Sequence, residues 1–165
     1  MQSDNQNQPG GNVETLLADL KPERVITPKA LMILAEGRDA MLATLRPDGW
    51  PQATVINYVN DEERIYFDCA VASQKAYNIS RDDRVSLALV VPYSAFGPIY
   101  GLSLAGHAKL IEASAELLHI LELWKARYPS MRERVEQDRH DFAFYAIAPT
   151  VLTLPDYAVG LGHRH

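Results

Sequence analysis

Residues 64–90, with the sequence RIYFDCAVASQKAYNISRDDRVSLALV, decide what kind of fold this chain forms. A strand-like run, residues 64–69, is followed by Ser73, a residue type that begins helices well. Residues 74–80 have helical character and end in a charged turn, after which residues 85–91 alternate as a second strand. A strand, a short capped helix and another strand therefore follow one another here.

Alternation with a period of two continues on both sides of this stretch. Residues 41–45 alternate and lead through an Arg-Pro-Asp-Gly turn into a second strand, which indicates a hairpin. Farther along the chain, residues 99–111 place mostly apolar side chains on one face, and Gly106 predicts a bend or bulge in this strand. The predicted strands are residues 41–45, 52–60, 64–69, 85–91, 99–111 and 142–154, the last interrupted at Pro149.

Helices are predicted before, between and after these strands. Thr27 as the N-cap, Pro28 at the first helical position and Gly37 as the stop define one helix. Shorter helices are expected over residues 13–20 and from a capping box at residues 130–133.

The clearest predicted helix spans residues 115–127 and ends before a proline. Apolar side chains three, four and seven residues apart form its apolar stripe. They are Leu117, Leu121 and Trp124, and then Leu118 and Tyr128. Six or seven strands with few helices predict a mainly β (α+β) fold, a small antiparallel barrel with helical covers.

Composition limits the size, partners and location of the protein. The chain has 165 residues, and we divide it into a disordered polar tail, residues 1–12, and a single domain, residues 13–165. A formal charge of -5 without a Lys/Arg cluster argues against nucleic acid as a partner.

Residues 85–108 lack Lys, Arg, Asp and Glu, but Pro and Gly interrupt them, so two strands explain them better than a membrane span. One cysteine fits a reducing compartment, so we expect a cytoplasmic protein.

The chemistry-bearing motif with the most information is Ser73-Gln74-Lys75. It begins a helix, where unpaired N–H groups favour an anion and where a hydroxyl and an ammonium would complete a phosphate site. A cation in the first turn opposes the helix dipole, which makes sense if an anionic ligand shares the site. The alternative is a solvated surface lysine beside an ordinary Ser cap.

Other catalytic patterns receive no support from the residues. The histidines lack a third ligand with metal-site spacing, so no metal is expected, and Cys69 is expected to be a small core residue. Nucleophile-elbow, dinucleotide and P-loop motifs are absent from the sequence.

Taken in order, three segments resemble the flavin-binding split barrels related to pyridoxamine 5'-phosphate oxidase. They are MLATLRPDGWPQATVINYV, the stretch 64–90 and GLSLAGHAKLIE, and the likeness spans residues 27–154. The resemblance implies a split barrel, a homodimer, and FMN in the two grooves between subunits.

Carried over residue by residue, the resemblance assigns a cofactor site. Ser73, Gln74 and Lys75 match the family's phosphate-binding Ser-Arg-Lys, with Gln in place of Arg. The segment that would flank the flavin ring, where backbone groups can pair with the ring, comprises Tyr66, Phe67, Asp68 and Cys69.

Departures from the family pattern concern both the flavin-phosphate site and the substrate site. Ala53 and Tyr58 stand where the oxidases keep an Arg for the flavin phosphate and a Lys for the substrate phosphate. Residues 155–157 replace Trp-Gln-Gly, and only His163 remains of an Arg-x-His-x-Arg element. The resemblance therefore implies an FMN-dependent oxidoreductase that acts on an unidentified small molecule other than pyridoxamine phosphate.

Catalytic residues stay unassigned, with His107 and His163 as the only candidates. Alternatives from the same fold are a haem or tetrapyrrole binder, with a C-terminal histidine as iron ligand, and a deazaflavin binder. A structural dimer with an empty groove is the remaining possibility.

Overall fold

The computed structural model describes residues 26–92, 99–129 and 141–154. The predicted tail 1–12, the helix over 13–20 and the helix at 130–133 lie outside these residues. The elements are α1 (Pro28–Glu36), β1 (Asp39–Leu45), β2 (Pro51–Asn57), β3 (Val59–Asp61), β4 (Arg64–Ala70), α2 (Gln74–Arg81), β5 (Arg84–Val90), β6 (Gly101–Leu110), α3 (Ser114–Arg127) and β7 (Phe142–Thr153).

The strands form one seven-stranded sheet in the order β2-β1-β5-β6-β7-β4-β3. Every neighbouring pair in this order is antiparallel. The sheet curls so that β2, the strand at one edge, approaches β4, the second strand from the other edge. This architecture is a split barrel of mainly β structure, as predicted. Within the described part of the chain, no helix is long and apolar enough to cross a membrane.

Alternation along the strands separates an inner core from an outer one. Inward side chains such as Leu42, Leu87 and Phe67 form the barrel interior, which α1 closes with Ile33 and Leu34. Side chains from the opposite face of β3, β4 and β7 pack under α3, and this second core is built around Val59, Tyr66, Ile120, Leu121, Trp124 and Phe144. Burial of such large apolar residues supplies the main driving force for the fold.

The predicted boundaries of α1 are confirmed by its caps. The Ala30 amide donates to Thr27 Oγ1 at 3.2 Å, and the Gly37 amide donates to the Ile33 carbonyl at 2.9 Å. Pro28 stands in the first turn, where its missing N–H costs no helical hydrogen bond.

The prediction of a single strand over residues 52–60 is wrong, because the chain changes partner at Tyr58. β2 pairs with β1 up to Asn57, whereas β3 pairs with β4. Tyr58 is fully buried between them, and its hydroxyl donates to the Leu34 carbonyl at 2.8 Å. Burial of this one ring against α1 redirects the chain, a tertiary effect that alternation alone does not show.

Three side chains on the predicted apolar faces of the 99–111 strand and the 115–127 helix are exposed, among them Tyr100 at 36%. Leu118 on α3 is 60% exposed and Leu110 at the end of β6 is 53% exposed. The predicted burial of Leu121 and Trp124 is confirmed, whereas Ile120, which was outside the predicted stripe, is buried and Leu118 is not.

The predicted interruption of the last strand at Pro149 takes the form of a bulge rather than a break. β7 continues through Pro149. Gly106 pairs with Pro149 and Ala105 pairs with Val151, so Thr150 is an extra residue in β7 without a partner on β6. The register shift between Ala105 and Gly106 confirms the predicted irregularity at Gly106. Glycine suits this position, because a Cβ there would stand 2.5 Å from the Ala148 carbonyl oxygen.

Candidate functional site

The N-terminus of α2 lies directly after β4 and is shaped by Ser73. The Ser73 amide donates to the Ala70 carbonyl at 2.9 Å, which turns the chain, and Ser73 Oγ accepts from the Ala76 amide at 3.3 Å. The amides of Gln74 and Lys75 have no acceptor among the described residues. Free N–H groups at a helix start carry partial positive charge and favour an anion.

Lys75 adds a full positive charge beside these amides. The first turn of α2 contains no acidic residue, and the Lys75 ammonium forms no hydrogen bond or ion pair with any described residue. Its side chain is half-buried beside Cys69. Lys75 therefore remains available to an anion at this helix start.

The second residue of the predicted motif is already engaged. Gln74 Nε2 donates to Asn78 Oδ1 at 2.8 Å. Fully buried Asn78 in turn donates to Thr44 Oγ1 at 2.9 Å and to Gln52 Oε1 at 3.0 Å. This network fixes α2 on β1 and β2, so Gln74 acts first as part of the support of the site.

Asn78 and its partners were not among the predicted site residues. The available signal is a polar residue on the face of α2 that also carries Ala76 and Ile79, both buried. A buried amide needs partners, so its presence on that face indicates a polar network beneath the helix.

The segment Tyr66 to Cys69 does not expose its aromatic side chains at this site. Tyr66 packs under α3, and Phe67 lies in the barrel core, where its ring stacks on Tyr145 at a centroid distance of 5.2 Å. Asp68 is half-buried and engaged in an interaction. Any contact of Tyr66 or Phe67 with a cofactor would therefore be made by main-chain atoms.

Cys69 belongs to the barrel core, as predicted. Burial raises the pKa of its thiol, although a hydrogen bond with Ser73 and the charge of Lys75 act in the opposite direction. A raised pKa keeps the sulfur protonated at neutral pH and makes it a poor nucleophile.

One edge of β4 is open beside Ser73. β3 pairs only with residues 64–66, whereas β7 pairs with the other edge along residues 65–70. Residues 67–70 therefore have no described strand on the side away from β7. Main-chain donors and acceptors of such an edge are able to hydrogen-bond a flat polar ring, whatever the side chains are.

Neither position that departs from the oxidase pattern supplies a positive charge. Ala53 is exposed on β2, while Tyr58 is fully buried. Desolvation by burial raises the pKa of Tyr58 to about 12, against the opposing effect of Arg127. Tyr58 is therefore a neutral core hydroxyl at physiological pH.

Two histidines lie within the described residues, and each is paired with an aspartate. His107 Nδ1 is 2.7 Å from Asp83 Oδ1, and His119 Nε2 is 3.0 Å from Asp61 Oδ2. His163 lies outside these residues. No group of three or more potential metal ligands occurs in the part of the chain that the structure describes.

A comparison with known protein families identifies the family of this chain. The family model described as pyridoxamine 5'-phosphate oxidase matches residues 26–154. The chain belongs to the pyridoxamine 5'-phosphate oxidase family. No curated protein matches it in sequence.

Solved structures share the fold. A conserved hypothetical protein from Mycobacterium tuberculosis is 26% identical with a TM-score of 0.70, over 84% of this chain and 91% of that one. A haem-binding protein from Mycobacterium smegmatis is 22% identical with a TM-score of 0.71, over 86% of this chain and 58% of that one. The haem storage protein HutZ from Vibrio cholerae is 20% identical with a TM-score of 0.67, over 82% and 97%.

Proposed function

We propose that this protein is a homodimeric, FMN-binding oxidoreductase that acts on a small molecule other than pyridoxamine phosphate. The observation that carries the proposal is the helix start after β4, where Ser73, an uncommitted Lys75 and two free amides converge. Family membership makes a flavin phosphate the first anion to consider for it.

The residues present fit the two polar parts of FMN. Ser73, Lys75 and the amides of Gln74 and Lys75 would hold the phosphate, because they combine a hydroxyl, a charge and helix N–H groups. The open edge of β4 at residues 67–70 would hydrogen-bond the ring. FMN, when bound, supplies the hydride and electron chemistry, while the chain orients it and excludes water.

Pyridoxamine phosphate is disfavoured as substrate by the substitution at Tyr58. Recognition of a second phosphate needs further charge-assisted contacts. The Tyr58 hydroxyl, at the position of the oxidases' substrate-phosphate Lys, is committed to the Leu34 carbonyl inside the core. The substrate is therefore expected to lack the phosphate that the oxidases recognise.

A second copy of the chain is the partner we propose for one sheet face. The outer face of β2, β1, β5 and β6 has no charged side chain over two adjacent rows. The rows are Val55, Met41, Ala88 and Ser103, and Ala53, Ala43, Ser86 and Ala105. An uncharged face with exposed Val55 and Met41 suits burial against an identical face, and the cofactor groove would lie at that boundary.

Haem binding is the second candidate function. It is favoured by the haem-binding protein and the haem storage protein that share this fold. Haem iron would require an axial ligand, and histidine is the usual one. His107 is half-exposed and held by Asp83, and His163 is the predicted alternative.

We place the protein in the cytoplasm as part of the same proposal. Its one cysteine is buried and free, which suits a reducing compartment. Cell fractionation with a cytoplasmic marker tests this location, and recovery in an exported fraction would contradict it.

The test of cofactor identity is the visible spectrum of the purified protein, before and after addition of FMN and then haemin. A flavin double band, with FMN identified by mass spectrometry after release, is expected. We expect Lys75→Ala to weaken FMN binding about tenfold or more, because a charge-assisted hydrogen bond contributes about 1.5–3 kcal/mol.

Matched variants separate this site from a general charge effect. Arg81→Ala removes one positive charge from the other end of α2 and is expected to leave FMN affinity unchanged. Unchanged affinity in both Lys75→Ala and Ser73→Ala would contradict the phosphate assignment. A Soret band that survives Lys75→Ala would favour the haem candidate, and released deazaflavin would replace FMN.

A further inference from the structure

A second concave site lies on the outer face of β4, β7 and β6. Its volume is about 470 Å³, within the range of about 300–1,000 Å³ typical of small-molecule sites. The lining residues are Arg64, Asp83, His107, Lys109, Ala146, Ala148 and Thr150. Asp83 follows the C-terminal end of α2, so this cleft is distinct from the helix start assigned to FMN.

Strand register explains the shape of the cleft. His107 pairs with Ala148 and Lys109 pairs with Ala146 across β6 and β7. Arg64 stands on β4, the strand on the other side of β7. Two strand spacings separate Arg64 from His107, about 10 Å, and the alanines between them form a low floor. Long cationic side chains thus flank an apolar trough.

His107 is held in place by Asp83, whose backbone is itself hydrogen-bonded to β6. Its Nδ1 is 2.7 Å from Asp83 Oδ1, and the Asp83 carbonyl accepts from the Ala108 amide at 2.8 Å. A carboxylate only accepts hydrogen bonds, so Nδ1 carries the proton, and Nε2 is the nitrogen left for a ligand.

The two cations keep unused donors. Lys109 forms no hydrogen bond or ion pair with any described residue. Arg64 Nη2 is 3.0 Å from Glu116 Oε1, and this pair occupies only part of a guanidinium that has five N–H donors. Asp83 is the one acid in the lining, and it is committed to His107. Lys109 is therefore the cation of the lining that no described acid pairs, in a chain whose formal charge is -5.

We propose that this cleft binds a small organic anion, a carboxylate or phosphate on an apolar body. Lys109 and Arg64 would contact the anionic group, and the floor of Ala146 and Ala148 would receive the apolar part. An apolar surface with a few convergent polar groups is the usual composition of such a site. The inference goes beyond the proposed function and does not rest on FMN.

The test is an amide NMR titration of the full chain, saturated with FMN, with phenyl phosphate and with benzoate. Benzyl alcohol has the same ring without the charge and serves as the control. Saturable shifts are expected for the amides of His107, Lys109 and Ala148 with an anion and not with the alcohol. The tighter of the two anions identifies the preferred group.

Variants of matched charge locate the binding. We expect Lys109→Gln and Arg64→Gln each to raise the Kd of the preferred probe about tenfold, because each removes charge-assisted hydrogen bonds. Arg81→Gln removes the same charge outside the cleft and is expected to leave the Kd unchanged.

Three outcomes would overturn the inference. They are an absence of saturable shifts into the millimolar range, equal shifts with benzyl alcohol, and shifts of the cleft amides on dilution, which would assign the cleft to a contact between copies. Failure of the protein to take up FMN would contradict only the proposed function. The same titration would then be run on the protein without FMN, and it would still test the cleft.

Discussion

Arg127 is the side chain that holds α3 against the rest of the molecule. Its guanidinium donates to the Leu34 carbonyl at 3.0 Å, to the Gly37 carbonyl, and to Asn60 Oδ1 at 3.2 Å. It also lies 4.9 Å from the ring centroid of Tyr58. One residue thus satisfies the C-terminal carbonyls of α1 and covers the ring at which the chain changes strand.

We expect Arg127→Ala to lower the free energy of unfolding by roughly 2 kcal/mol, because part-buried acceptors lose a charged donor. Arg127→Lys is expected to lose nearly as much, since an ammonium cannot reproduce the planar fork. Urea denaturation measures both. Arg46→Ala, which breaks only the exposed pair with Asp48, is the control and should cost less than about 1 kcal/mol. Equal losses in the control and Arg127→Ala would refute this role.

Tyr58 makes stability depend on alkaline pH. Burial raises its pKa to about 12, so the folded state keeps a proton that the unfolded state releases near the ordinary value of about 10. Stability is therefore expected to fall as pH rises from about 10 through about 12, by an amount of order 2 kcal/mol. Burial also raises the pKa of Tyr66 and Tyr145, which act in the same direction.

Unfolding by urea at a series of alkaline pH values tests this expectation. Tyr58→Phe should flatten the pH dependence, while it lowers stability at neutral pH through loss of the hydrogen bond to Leu34. Exposed Tyr77→Phe is the control and should leave the slope as it is. An unchanged slope in Tyr58→Phe would show that another group controls the transition.

At the scale of elements, the pairing of β6 with β7 depends on Gly106. A Cβ at this position would meet the Ala148 carbonyl oxygen at 2.5 Å, and that oxygen belongs to the backbone. We expect Gly106→Ala to lower the free energy of unfolding by about 1–3 kcal/mol, because the bulge has to open. Ser103→Ala, an exposed change on the same strand, is the control. Equal stability of the two variants would show that the bulge tolerates a side chain.

Elements whose determinants are local were predictable from the sequence. α1 carries its own start and stop in Thr27, Pro28 and Gly37, and α2 begins at the Ser73 cap. The break at Tyr58 was missed because a distant carbonyl, that of Leu34, captures its hydroxyl. The exposure of Leu118 and the burial of Ile120 on α3 have a similar origin, since the sheet face beneath the helix decides which of its side chains are covered.

In the candidate site, too, the features with local determinants were predictable and those that depend on packing between distant segments were not. The helix start at Ser73 and Lys75 was predicted, because a cap and a cation are visible in a short segment. Its support was missed, because Asn78 meets Thr44 and Gln52 only after two strands and a helix have packed together. The placement of Phe67 inside the barrel likewise depends on the curl of the whole sheet.

At the scale of the whole molecule, the uncharged sheet face predicts how two copies meet. Ala88 lies between Met41 and Ser103 in the middle of that face. We expect Ala88→Glu to convert a dimer to a monomer, because two carboxylates would be buried without partners at a cost of several kcal/mol. Light scattering after size-exclusion chromatography measures the mass.

The matched control for this face is Ala126→Glu, on the exposed side of α3. It introduces the same charge away from the sheet and should leave the dimer intact. A dimer that survives Ala88→Glu would place the contact elsewhere, and a monomeric wild type would remove the proposed partner.

β7 lies inside the sheet order although it is the last described strand along the chain. The strands made before it fall into two groups, β2-β1-β5-β6 and β4-β3, and only β7 hydrogen-bonds to both. A nascent chain therefore carries two open strand edges until synthesis has passed Thr153 and that segment has left the ribosome. Barrel closure therefore waits for β7, which inserts between two groups of strands already made.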